Sequence, residues 1–132
     1  MNYENSSKIF FKNGQHQSIA RAIAGGAKTK AVSITDEPQL KEHVDTLFLG
    51  GAPYANIMAP ELRRYAEELS ADKVGKVVLF TTSNWSRRTV YALRKLLTEK
   101  GIAVEQEHFY AHMLNISGRL DEAKEFGRKF AE

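Results

Sequence analysis

Val44-Asp45-Thr46-Leu47-Phe48-Leu49-Gly50-Gly51-Ala52-Pro53-Tyr54 is the stretch from which the fold is read. Leu47 to Leu49 is a short apolar run that stops at two glycines and a proline. A run apolar on both faces suits a strand in the middle of a sheet, covered above and below. The glycines allow a tight bend or a close approach to the backbone, and Tyr54 follows just past the strand's end. Ligands of open α/β sheets bind beyond the carboxyl ends of the strands. The stretch therefore reads as a central strand plus one wall of a site; the plainer alternative is a buried strand followed by an ordinary turn.

Upstream, Lys8-Ile9-Phe10-Phe11 is a short β-prone run, and Lys12 to Gln17 reads as a turn. Ile19, Ala20, Ile23 and Ala24 recur at helical spacing, and Gly25-Gly26 is expected to end that helix. Ala31-Val32-Ser33-Ile34 is a second strand. Thr35-Asp36-Glu37-Pro38 is expected to start a brief helix, with Asp36 as N-cap and the proline in the first turn.

Downstream, Pro60-Glu61 opens a helix with Leu62, Tyr65, Ala66 and Leu69 on one face. Lys76-Val77-Val78-Leu79-Phe80 is a fourth strand, again apolar on both faces, and Thr81-Thr82-Ser83-Asn84-Trp85-Ser86 reads as the loop after it. Val90, Leu93 and Leu97 line the inner face of a helix that ends at Gly101. Ile102 to Tyr110 is the fifth strand, where Glu105 and Glu107 suit an edge position. Leu120, Ala123, Phe126 and Phe130 mark the last helix.

Strands alternating with helices imply an α/β fold with a parallel sheet covered on both faces and right-handed crossovers. Central third and fourth strands with an edge fifth strand give the doubly wound order 2-1-3-4-5. No repeat or linker divides the 132 residues, so a single domain, 1–132, is expected.

Hydrophobic residues make up 42% and charged residues 27%, a globular mix. The absence of cysteine excludes a disulfide scaffold, iron–sulfur chemistry and a cysteine nucleophile. The four histidines show no metal-ligand spacing on one element. Met1 to Ser6 lacks the basic-then-apolar order of a secretory signal, and no apolar run is long enough to cross a bilayer, so a soluble cytoplasmic protein with no membrane partner is expected. A formal charge of +3, scattered along the chain, argues against a nucleic-acid partner.

The ordered segments resemble short flavodoxin-like proteins. The segment from Gly50 to Leu62 is similar to their third-strand region, and Gly75 to Ser83 to their fourth strand and following loop. Glu107-His108-Phe109-Tyr110 and Asp121 to Phe126 are similar to their fifth strand and last helix. The resemblance implies a flavodoxin-like three-layer sandwich that binds flavin mononucleotide (FMN). It also implies electron transfer or flavin-dependent reduction, with a redox partner protein or a small-molecule electron donor or acceptor.

Carried over by position, the FMN-binding residues would be Asn13, Gly14, Gln15, His16 and Gln17 in the first loop, Gly51, Ala52, Pro53, Tyr54, Ala55 and Asn56 in the second, and Thr82, Ser83, Asn84 and Trp85 in the third. Tyr54 and Trp85 would flank the flavin ring. Trp85 also reads as packing at a helix start or in a homodimer interface. The family's phosphate loop has the form hydroxyl-x-Thr-Gly-x-Thr. Aligned on Gly14, this chain has Phe11, Asn13 and His16 where the three hydroxyls would stand. Backbone donors at a helix N-terminus do not depend on those side chains. Arg87 and Arg88 suit a solvated helix start, or attraction of an anionic partner.

Other doubly wound families fit less well. A phosphoacceptor receiver needs acidic residues after the first strand and an aspartate ending the third, where this chain has Lys12-Asn13 and Gly50-Gly51. Neither Gly-x-Ser-x-Gly nor G-x-G-x-x-G occurs. No residue stands out as an acid, base or nucleophile. The remaining alternative is a flavodoxin-like domain that has lost FMN and works as a binding or scaffold module.

Overall fold

The computed structural model describes residues 7–11, 17–51, 60–83, 88–112 and 115–131. Five strands form one sheet: β1 (Ser7–Phe11), β2 (Ala31–Ser33), β3 (Val44–Gly51), β4 (Val74–Ser83) and β5 (Val104–His112). Every pairing is parallel, and the strand order is β2-β1-β3-β4-β5, as the hydrophobic pattern predicts. The helices are α1 (Gln17–Ala27), α2 (Pro60–Glu68), α3 (Arg88–Glu99) and α4 (Leu120–Ala131), the last preceded by a short 3-10 turn at Ser117–Arg119. No helix among the described residues is long and apolar enough to cross a membrane.

Alternation along the strands divides the interior into two layers. Leu47, Leu49, Val77 and Leu79 face α2 and α3, together with Leu62, Tyr65, Val90, Leu93 and Leu97. Phe48, Val78 and Phe80 face α1 and α4, together with Ile19, Ile23, Ala123 and Phe126. A strand buried on both sides has no polar face, which is why β3 and β4 read as unbroken apolar runs.

Four of the differences from the sequence reading have a clear physical cause. The glycine pair does not end α1. The helix runs through Gly25 and Gly26 to Ala27 and stops at Lys28, whose φ of 60° is left-handed. Thr29 N donates to Ala24 O at 2.9 Å and Lys28 N to Gly25 O at 3.3 Å, a Schellman closure. A lysine in that conformation is strained where glycine is not. Lys28→Gly is therefore expected to raise stability by about 0.5–1 kcal/mol, read as a shift in the urea midpoint. The second boundary lies after β2, where a turn replaces the expected short helix. Ser33 O accepts from Asp36 N and Glu37 N, and Ser33 Oγ accepts from Thr35 N, so the chain closes a turn on Ser33 where a helix starting at Asp36 was expected.

Third, Thr81, Thr82 and Ser83 belong to β4 and not to the loop, because β5 runs alongside them to His112. Fourth, β5 is displaced to Val104–His112 and carries a bulge. Between the pairs Val77↔Val104 and Leu79↔His108, β4 advances two residues while β5 advances four. Arg94 of α3 holds the bulge, donating from Nη1 to Glu105 O at 2.6 Å and from Nη2 to Gln106 O at 3.1 Å. Glu105 pairs with Lys76 at 3.2 Å, and Glu107 with Lys129 at 2.6 Å.

Candidate functional site

The carboxyl edge of the sheet is stepped. Phe11, the last residue of β1, is level with Gly50 of β3, and Gly50 is level with Phe80 of β4. β3 continues one residue to Gly51, while β4 continues three residues past that level to Ser83, where it meets His112 of β5. The chain leaves β1 for α1 on one face and leaves β3 for α2 on the other, so the topological switch point of the sheet lies between β1 and β3.

Two local features fix the end of β3 beside this switch point. Gly50 is buried and has no room for a side chain: a Cβ there would stand 2.0 Å from Phe80 O and 2.7 Å from the Phe80 ring. Thr81, fully buried, donates from Oγ1 to the Gly51 carbonyl at 2.7 Å. The hydroxyls of the neighbouring buried threonines, Thr82 and Thr89, have no hydrogen-bond partner among the described residues. At the start of α1, Gln17 is half-buried and Ser18 exposed, and the first turn holds no acidic side chain. The positive end of that helix macrodipole is therefore not offset by a carboxylate of its own.

Of the residues selected from sequence, Gln17 lies at the start of α1, Gly51 ends β3, and Thr82 and Ser83 end β4. Gln17 is helical, not part of the turn, and the Thr82 side chain is fully buried in the sheet. Asn13, Gly14, Gln15, His16, Ala52, Pro53, Tyr54, Ala55, Asn56, Asn84 and Trp85 lie outside the described residues, as does Arg87. All of them fall in the connections 12–16, 52–59 and 84–87, which join the ends of β1, β3 and β4 to the helices that follow. Thr81, passed over as a loop residue, is the addition the structure makes. Its signal was indirect: the strand had to extend past Phe80 for Thr81 to face Gly51.

Two cavities lie elsewhere. One of about 840 Å³ runs between β5 and α4, over Phe109 and Phe126. Its charges are matched, with Arg128 on Glu125, Lys129 on Glu107, Arg119 on Glu122, and the Arg119 guanidinium 5.0 Å from the centre of the Phe109 ring. The other, about 420 Å³, lies between α2 and residues 34–39 and includes Tyr65 in its wall. Burial, with Glu37 adding to it, pushes the Tyr65 phenol well above its usual range, so it stays neutral. Its ring packs on Phe10, centroids 5.1 Å apart.

No family model matches the chain, and no curated protein matches it. Solved structures do. A flavodoxin from the domain Archaea superposes with a TM-score of 0.78 at 15% identity, covering 95% of each chain. Flavodoxin 2 from Bacillus cereus gives 0.63 at 17% identity, covering 96% of this chain and 94% of that one. A flavodiiron core from Synechocystis gives 0.71 at 14% identity, covering 95% of this chain but 34% of the longer one. The fold is flavodoxin-like.

Proposed function

We propose that this flavodoxin-like chain binds FMN non-covalently at the carboxyl ends of β1, β3 and β4 and serves in electron transfer or flavin-dependent reduction. The observation that carries the reading is the switch point between β1 and β3, with α1 following β1 and no carboxylate in that helix's first turn. Backbone N–H groups at the start of a helix, with a dipole end not yet offset, suit a phosphate monoester. Gln17 and Ser18 would contribute there, and Asn13 and Gln15 supply further donors by sequence. Gly51, the last residue of β3, has no side chain to keep a flat ligand from the backbone there. Tyr54 and Trp85 would flank the ring. The donor set contains no acidic side chain, which suits a group whose own phosphate brings the charge.

When bound, FMN supplies one- and two-electron chemistry, while the protein orients it, limits water and tunes its potential. Electrons would come from or go to a redox partner protein or a small-molecule donor or acceptor. The scaffold alternative rests on the same first loop, where Phe11, Asn13 and His16 stand in place of three hydroxyls. Titrating the purified protein with FMN separates the two: quenched flavin fluorescence supports the proposal, and none at high micromolar FMN supports the scaffold. Ser18→Asp sharpens the test, because it acts in opposite directions on the two states. It should stabilise the free protein by about 0.3–1 kcal/mol through the α1 dipole. The same carboxylate should weaken FMN binding about tenfold by facing the phosphate.

A further inference from the structure

We propose that the cavity of about 420 Å³ between α2 and residues 34–39 binds a small aliphatic diamine in its protonated form, with Tyr65, Glu37 and Glu61 as its polar contacts. The site is separate from the flavin reading and does not depend on it. β2 and β3 are joined by residues 34–43 without a helix, whereas each of the other three crossovers contains one. α2 therefore has a helical neighbour, α3, on one side only, and residues 34–39 face it on the other. Ile34, Leu40 and Tyr65 still close the apolar layer beneath, so the helix-free crossover leaves a polar-walled hollow and not an exposed core.

Tyr65 is 2% exposed, and its hydroxyl has no hydrogen-bond partner among the described residues. A buried phenol in that state costs free energy that a bound polar group would recover. The ring rests on Phe10 and lines the cavity, and the charge that bears on the phenol is that of Glu37, in the facing segment. The hydroxyl end of the ring is therefore the end that reaches across. Glu61, Tyr65 and Glu68 follow one another along α2 at i, i+4 and i+7, on one face of the helix. Glu68 already accepts from Gln39 Nε2 at 3.0 Å, while no ion pair or hydrogen bond engages the carboxylates of Glu37 and Glu61 among the described residues. Arg64 on the same wall offsets one of these charges, and an excess of carboxylate remains. An anion is disfavoured here, and no group of three acidic or histidine side chains among the described residues is placed to hold a metal ion. A primary ammonium brings three donors, which the Tyr65 oxygen and the Glu37 carboxylate can share. Tyr65 and Glu61 are separated by about 6 Å along the helix axis, so a second ammonium on a short chain reaches Glu61. Ile34 and Pro38 offer the methylenes an apolar surface.

The test titrates the protein with 1,4-diaminobutane, followed by amide NMR and calorimetry. 1,4-Butanediol serves as the uncharged analogue, and sodium chloride at matched ionic strength as the salt control. The diamine should shift the amide resonances of α2 and residues 34–39 to saturation, and the diol and the salt should not. Tyr65→Phe keeps the ring on Phe10 and removes only the unpartnered hydroxyl. It should fold at least as well as the parent yet bind the diamine about tenfold more weakly, what one net hydrogen bond is worth. Glu37→Gln should weaken binding by a similar factor and decides alone if the phenylalanine variant does not fold. Glu99→Gln, on α3 and outside the cavity wall, should leave binding unchanged. Shifts that do not saturate, or that the diol or the salt reproduces, overturn the proposal. So does undiminished affinity in Tyr65→Phe or Glu37→Gln.

Discussion

Gly26→Ala is expected to destabilise the protein by about 2–3 kcal/mol, and its neighbour Gly25→Ala to stabilise it by about 0.5 kcal/mol. Both glycines lie inside α1, where alanine is intrinsically the better residue. Their surroundings differ. A Cβ on Gly25 meets nothing within 4 Å, while one on Gly26 would stand 1.8 Å from Lys124 O in α4. On the other side of the same crossing, a Cβ on Gly127 would stand 2.0 Å from Ile23 O. The two backbones touch through glycines, so the clash is with main chain, which cannot rotate out of the way. Separating α1 from α4 would also loosen Ile19, Ile23, Ala123 and Phe126 beneath them. Urea unfolding of both variants checks the signs; equal shifts would contradict the packing described.

Gly50→Ala should cost a similar amount, about 3 kcal/mol, and should also abolish or strongly weaken ligand uptake. The position is in the third of five strands, and its added methyl would meet both the Phe80 carbonyl and the Phe80 ring. Replacing the ring alone would not cure this. Gly50→Ala combined with Phe80→Leu should therefore recover at most part of the loss, because the carbonyl 2.0 Å away is unchanged. Thermal unfolding of the single and double variants measures it. Full recovery in the double variant would mean that the ring, and not the backbone, sets the need for glycine.

The strand order was legible because it depends on contrast between strands. Leu47 to Leu49 and Val77 to Phe80 are apolar on both faces, and Glu105 and Glu107 mark the margin. What escaped reading was set by elements far away in sequence. A glycine pair signals a helix end and a close crossing equally well, and only α4 decides that Gly26 is the latter. Thr81 to Ser83 look like a loop until Tyr110, Ala111 and His112 are seen to pair with them. Asp36 carries a genuine cap signal, but Ser33, three residues earlier, gathers the amides of Thr35, Asp36 and Glu37 into a turn. Of the candidate site, the end of β1 at Phe11 and the glycine-marked end of β3 could be located from the pattern, whereas β4 runs three residues past its expected end and α1 takes in Gln17. Which hydroxyl fastens Gly51 could not, since Thr81, Thr82 and Thr89 look alike until each is assigned a face of the sheet.

Arg94 has a bearing on how the molecule behaves in crowded solution. An outermost strand is an invitation for a second copy to dock alongside it and propagate. Here the strand bows away at residues 105–107, and the guanidinium occupies the carbonyls of Glu105 and Gln106. A stranger's backbone arriving there finds a curved, charged and partly engaged rim instead of a straight ladder, so the same contact that shapes β5 also guards against fibril growth.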